Sequence, residues 1–527
     1  MYKNYYFLGI GGIGMSAIAR YFKSKGFAVA GYDRVRSQLC AELESEKIEI
    51  HYEDSVNFIP QNFKNPADTL VIFTPAIPQK HSEYQYFKQN NFKILKRAEI
   101  LGQITKTERG LCIAGTHGKT TISTITAHLF KQSSLDCSAF LGGISLNYDT
   151  NLLLAGIHPT PTLPAGEGEC QLSNLQKISN VAVALPSGEG RGGVSNFVVI
   201  EADEYDRSFH QLTPYMAVIS STDADHLDIY HTHNEYVAAF NKFTSLIVEG
   251  GALVYKKGIS LLPNVQKDVR VFTYDVDYFT AKNAKETQNL QNNTCVPCEN
   301  IAPVAVKEHF ADFYADNIKI GNGELRFDFN FPNGKIADVL LGVPILINVE
   351  NAVAAMALAW LNGMSEEEIK RGIASFRGIK RRFEKHLDTP KIYIDDYAHH
   401  PQELAQSIKS VKKLYADKKV LGVFQPHLYS RTQDFYKEFA IALNLLDEVI
   451  LVEIYPAREL PIENVTSELI YNQIDNPKKI LTTKAELTKV LAEKYNDFDV
   501  LITLGAGDID TFIPKIIEEL KVIGHFE

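Results

Sequence analysis

The stretch LCIAGTHGKTTISTITAHLF, residues 111–130, decides how the rest of the chain is read. An apolar run of strand length gives way to two glycines, and a helical pattern begins at Lys119. Strand, glycine loop and helix start, in that order, make a place for phosphate. The backbone amides of Gly115, Thr116, His117 and Gly118 can cradle it, Lys119 offsets its charge, and Thr120 and Thr121 bring hydroxyls to the helix start, Thr120 as a magnesium ligand. The spacing departs from G-x-x-x-x-G-K-[ST], because only two residues separate Gly115 from Gly118. The bland alternative is a plain turn between strand and helix.

Downstream, NFVVIEADEYD at 196–206 is an apolar strand ending in carboxylates, as magnesium ligation opposite a phosphate loop requires. Glu201 is the first choice as ligand; Asp203 and Glu204 read equally well as solvated or structural acids. STDADHLDIY at 221–230 sets His226 among Asp223, Asp225 and Asp228. A lone histidine usually belongs to a surface or a core, but acidic neighbours at a strand end favour a functional one. Upstream, GIGGIG at 9–14 follows a short strand and precedes a helix over Met15–Lys25, with Asp33 about 20 residues on. Alone, this fingerprint suggests a nicotinamide enzyme. With a phosphate loop in the next unit, Gly9, Gly11, Gly12, Gly14 and Asp33 are expected instead to hold the diphosphate of a nucleotide-linked substrate.

A chain of 527 residues exceeds one ordinary core. Strand and helix alternate through TLVIFTPAI and ILKRAEILGQI, and again from near residue 379 through KIYIDDYAHH, KVLGVFQPH, DEVILVEIYP and DVLITLGAG. The expected architecture is α/β in three domains: a Rossmann-like N-terminal domain (1–106), a central P-loop domain (107–378), and a Rossmann-like C-terminal domain (379–527). Residues 157–195, rich in Pro, Gly and Ser and carrying the near-copies LPAGEGE and LPSGEGR, are expected to be an inserted, flexible surface extension; a partner-binding loop is the alternative. A net charge of -10 argues against nucleic acid or an anionic membrane surface as partner. No apolar run approaches the roughly 20 residues of a spanning helix, and the N-terminus lacks a cleavage-site pattern, so a cytoplasmic protein is expected. Six cysteines make no disulfide framework, and Cys295 and Cys298 form a lone C-x-x-C without a second pair.

Taken in order, these motifs resemble one family, the Mur ligases of bacterial cell-wall synthesis, and within it the members that join L-alanine to UDP-N-acetylmuramate. Besides GIGGIG, AGTHGKTT, EADE and DADHLD, the resemblance rests on RRFE at 381–384, DDYAHHP at 395–401, FQPHLYSRT at 424–432 and LGAGDI at 504–509, and it covers nearly the whole chain. It implies an enzyme using ATP and Mg2+, with Lys119 on the ATP phosphates, Thr120 and Glu201 on one magnesium, and His226 on a second. Asn348 and Asn351 resemble nucleotide-contacting asparagines. Arg382 and Asp396 match positions where the third domain closes on ATP, and Tyr397, His427 and Arg431 match those lining the amino-acid pocket. The implied reaction phosphorylates the lactyl carboxylate and lets the L-alanine amine displace phosphate, in a monomer or weak homodimer. Two departures are Ile347, where many members have histidine, and TPAI at 74–77, where a serine pair is commoner. Alternatives are a family member that attaches a preformed tripeptide, a nicotinamide oxidoreductase, and a nucleotide-binding protein without activity.

Overall fold

Near-continuous apolar runs such as YYFL, LCIA and FVVI suit strands buried on both faces, which parallel sheets with helices on either side provide. The computed structural model of the chain describes residues 2–156, 197–223, 227–277, 311–321, 323–457 and 459–524. His226, the extension at 157–195, and Cys295 and Cys298 lie outside the described residues.

The described strands form three sheets. In the first, five parallel strands run in the order Glu49–His51, Ala28–Tyr32, Asn4–Leu8, Thr69–Phe73, Lys93–Lys96. Strand order reverses at Asn4–Leu8, and the glycines leave the sheet there, at its C-terminal edge, where such sheets bind ligands.

The second sheet is ten-stranded. Its centre is Arg109–Ala114, flanked in parallel by Pro214–Ile219 and Phe197–Glu201. The carboxylate of Glu201 therefore ends the strand beside the one that feeds the phosphate loop. One edge is an antiparallel meander, Phe313–Gly321, Glu324–Phe331 and Gly334–Leu340, which the motif reading left unassigned. Helix Leu346–Leu361 packs against helix Lys119–Lys131 and is buried over nearly its whole length, with Ala352, Ala354, Ala355, Ala357 and Ala359 fully inaccessible.

The third sheet runs Glu384–Leu387, Ile392–Asp396, Val500–Leu504, Val420–Phe424, Glu448–Leu451, Lys479–Leu481, parallel except for the first strand. Its C-terminal edge carries Asp395, Asp396 and the turns at Gln425 and Gly505. No helix among the described residues is long and apolar enough to cross a membrane.

Candidate active site

The loop after Arg109–Ala114 bends through Gly115 at φ 134° and Gly118 at φ 83°, conformations that side chains other than glycine rarely adopt. Gly118 is the N-cap of helix Lys119–Lys131, and a methyl added to it would stand 2.8 Å from Asn351 Oδ1. The neighbouring strand end fixes the loop: His117 N donates to Ser221 Oγ at 2.8 Å, the Ser220 hydroxyl donates to His117 O, and Thr116 Oγ1 donates to Asp223 O at 2.9 Å. A cleft of about 340 Å³ adjoins it, lined by Ser221, Thr222, Asp223, His233 and Lys256.

Lys119 folds back over this loop. Its Nζ donates to Gly115 O at 2.6 Å and to Glu204 Oε1 at 2.7 Å. Glu204 is only 2% exposed; burial raises its pKa while Lys119 pulls it down. Motif reading left Glu204 open between a magnesium ligand and a solvated or structural acid, and in the structure it is the counter-ion of the phosphate-loop lysine. Thr120 Oγ1 donates to Glu201 Oε1 at 3.1 Å. Glu201 lies across Gly142, where any side chain would collide with its carboxylate, and Glu201 Oε2 is buried with no hydrogen-bond partner among the described residues. A buried carboxylate oxygen left unpartnered beside a threonine hydroxyl suits a hard divalent cation, which takes oxygen ligands. Among the described residues no three His, Cys, Asp or Glu side chains form a ready-made metal cluster. Thr121 follows Thr120 in the first turn of the helix.

At the N-terminal sheet, Gly9 turns at φ 86° and Gly11 N donates to Asp33 Oδ2 at 2.8 Å. Asp33 thus serves the glycine loop itself, and its other oxygen accepts from Val35 N at 3.2 Å. Gly12 is the N-cap of helix Ile13–Ser24, and Gly14 in its first turn lies directly under the Arg97 guanidinium. Arg97 Nη2 reaches Asp203 Oδ2 at 2.6 Å, and Lys96 Nζ reaches Asp206 Oδ2 at 2.6 Å. Two basic residues of the first domain are thereby paired with the acidic loop that follows Glu201. The motif reading missed Arg97; KR before helix Arg97–Thr105 reads as an ordinary helix start, and its partner lies 106 positions away.

Asn348 and Asn351 sit at the start of helix Leu346–Leu361, both buried, with Asn351 Nδ2 donating to Asn348 Oδ1 at 3.1 Å. Ile347, immediately before Asn348, is 39% exposed. In the third domain, Asp396 accepts from Ser407 Oγ at 2.6 Å and from Ala398 N at 3.1 Å. Burial pushes its pKa up to about 6. Arg382 is exposed, its charge felt by Asp396, whereas Arg381 carries the contacts: its guanidinium donates to Gly505 O at 2.6 Å and Gly507 O at 3.0 Å and stacks on Tyr397 at 5.0 Å. Tyr397, His399, His427, Tyr455 and Arg431 form a continuous cluster. Tyr397 meets His399 edge-on, His399 meets His427 at 6.0 Å, His427 stacks on Tyr455, and Arg431 Nη1 lies 3.5 Å from His427 Nδ1. Burial, then Arg431 and His399, hold the His427 imidazole below its usual pKa, which favours its neutral form. The order of the motifs hinted at His399 only through the DDYAHHP run, and Tyr455 gave no signal.

Three family models match in succession: the Mur ligase family catalytic domain over residues 4–109, the Mur ligase middle domain over 113–359, and the Mur ligase glutamate ligase domain over 381–507. The chain belongs to the Mur ligase family. This Mur ligase is 49% identical to the UDP-N-acetylmuramate--L-alanine ligase of Phocaeicola vulgatus, covering 98% of this chain and 97% of that one. It is 48% identical to that of Porphyromonas gingivalis, covering 99% of this chain and 100% of the other. Among solved structures, the UDP-N-acetylmuramate-alanine ligase of Thermotoga maritima superposes with a TM-score of 0.72 at 23% identity, covering 98% and 99% of the two chains. A murein peptide ligase from Psychrobacter arcticus gives 0.57 at 20% identity, covering 98% of each. These last two speak to the fold. The Mur ligase family is ATP-dependent, so the phosphate loop belongs to an ATP-using ligase.

Proposed function

We propose that this Mur ligase joins L-alanine to the lactyl carboxylate of UDP-N-acetylmuramate in the cytoplasm, in the synthesis of peptidoglycan precursors, with Mg2+ as cofactor. The observation that carries the reading is the full-length likeness, at close to half identity, to several UDP-N-acetylmuramate--L-alanine ligases. The geometry fits it. The N-terminal domain (1–106), through its glycine loop, takes the UDP part, the central domain (107–378) takes ATP, and the third domain (379–527) brings the amino acid.

An ionised carboxylate is a poor electrophile, so it has to be phosphorylated before an amine can attack it. On this reading, Lys119 holds the transferring phosphoryl group, and the amides of Gly115 to Gly118 fix the remaining phosphates. Thr120 and Glu201 would hold a magnesium ion, with His226 on a second; such ions supply charge neutralisation of the phosphoryl oxygens. The Arg431 guanidinium would pair with the carboxylate of L-alanine, and the ring cluster of Tyr397, His427 and Tyr455 would fill the space around its small side chain. Asn348 and Asn351 would contact the nucleotide, and Arg382 and Asp396 would approach it from the third domain.

Phosphate release from ATP, with UDP-N-acetylmuramate and each amino acid supplied in turn, tests this directly. Release that depends on L-alanine is expected. Release that prefers a preformed tripeptide would assign the chain to peptide recycling, and no release with any amine would overturn the reading.

A further inference from the structure

Adjacent acids on one loop, Asp203 and Glu204, face opposite ways. Glu204 takes the ammonium of Lys119, and Asp203 takes the guanidinium of Arg97 from another domain. Lys119 is the residue that ATP phosphate needs, so Glu204 is a counter-ion that substrate has to replace. The same logic applied to the second pair gives Arg97 a job. Its Cζ and Cδ lie so close to Gly14 that a methyl there would be 3.3 and 3.2 Å from them, which places the charged group on the glycine loop of the first domain. The Arg97–Asp203 pair thus links the first-domain glycine loop to the acidic loop whose next residue, Glu204, holds Lys119.

We propose that Arg97 is a positioning residue for the UDP-linked substrate, holding its diphosphate, and that Asp203 is the resting counter-ion it gives up when that substrate binds. This rests on the proposed function. Arg97 is 29% and Asp203 38% exposed, so the pair itself contributes little to folding, and a dianion arriving at the guanidinium competes with a single carboxylate. The planar fork of arginine matches two phosphate oxygens at once, which lysine cannot do.

The two partners give opposite signs. In calorimetric titrations with UDP-N-acetylmuramate and no ATP, Arg97→Ala should weaken binding roughly tenfold or more, while Asp203→Asn should tighten it severalfold by removing the competitor. Arg97→Lys should recover only part of the loss. In a second arm, UDP and uridine are titrated separately; Arg97→Ala should weaken UDP and leave uridine unchanged. Equal weakening by both variants would show a merely structural ion pair and overturn the proposal, as would equal loss of UDP and uridine. If the wild-type protein binds UDP and fails to bind UDP-N-acetylmuramate, it is the substrate reading that falls, and the diphosphate arm still decides the role of Arg97.

Discussion

Two glycine loops in this chain leave parallel strands and enter helices, yet they are built for different work. At Gly115–Gly118 the helix begins with its own cation and hydroxyl, Lys119 and Thr120, and the adjacent strand delivers Glu201. At Gly9–Gly14 the helix begins with Ile13, no acid stands in its first turn, and the loop closes on itself through Gly11 N and Asp33. Its only adjacent guanidinium among the described contacts arrives from outside, on Arg97. A loop that carries its own charges can take part in phosphoryl transfer, because the charges are fixed where negative charge shifts. A loop that borrows its charge from a neighbouring helix can hold a diphosphate and let it go.

The sharpest way to break that contrast is Lys119→Ala. Ligation should fall by about 10³-fold or more, as losses of a phosphate-stabilising cation do, with UDP-N-acetylmuramate binding nearly unchanged by calorimetry. Equal loss of both would erase the division between the loops. A smaller effect is expected from Gly142→Ala. The added methyl collides with the Glu201 carboxylate and moves it off Thr120. Activity should drop roughly 10- to 100-fold and recover in part at raised magnesium, the scale on which disturbed metal-site neighbours act. A normal magnesium titration with an unchanged circular dichroism spectrum would place the metal elsewhere.

The smallest effect concerns a third strand end. Asp396 has its pKa raised from 3.8 to about 6 by burial. The folded state therefore holds a proton that the unfolded chain has already released, and stability declines as pH rises from about 4 to 6 and stays lower above. Asp396→Asn removes that loss. Its Tm should match the wild type near pH 4 and exceed it above pH 6, by a stability gain on the order of 1 kcal/mol, while ligation weakens. An Asn variant less stable at pH 7.5 than the parent would mean that the hydrogen bonds from Ser407 and Ala398 require a charged acceptor.

Much of this was legible from the residues alone, for a physical reason: functional groups at the C-terminal edge of a parallel sheet lie just after apolar runs, so AGTHGKTT and EADE declare both their strand and their exposed end. In the structure Thr120 meets Glu201, and Lys119 pairs with Glu204. Contacts between distant segments were not legible. Arg97 with Asp203, across two domains, and the hold of Arg381 on the carbonyls of Gly505 and Gly507, within the third, join segments more than a hundred positions apart, and no local pattern records them. RRFE offered two arginines, and only the fold separates the anchored Arg381 from the exposed Arg382. The meander at 313–340 carries no chemistry, so no motif pointed to it.

The packing of helix Leu346–Leu361 on helix Lys119–Lys131 has a mechanical consequence. Asn351 of the first helix meets Gly118 at the start of the second, so Asn351 and the phosphate loop ride on one body. On the proposed function, a nucleotide meeting both places would be held as in a vice with one fixed jaw. Whatever travel catalysis needs would then be left to the other jaw, the third domain, which the chain enters through Arg381 at φ 62° and Phe383 at φ 50°. Stiffness in one part of the molecule thus sets where the compliance of the whole must be found.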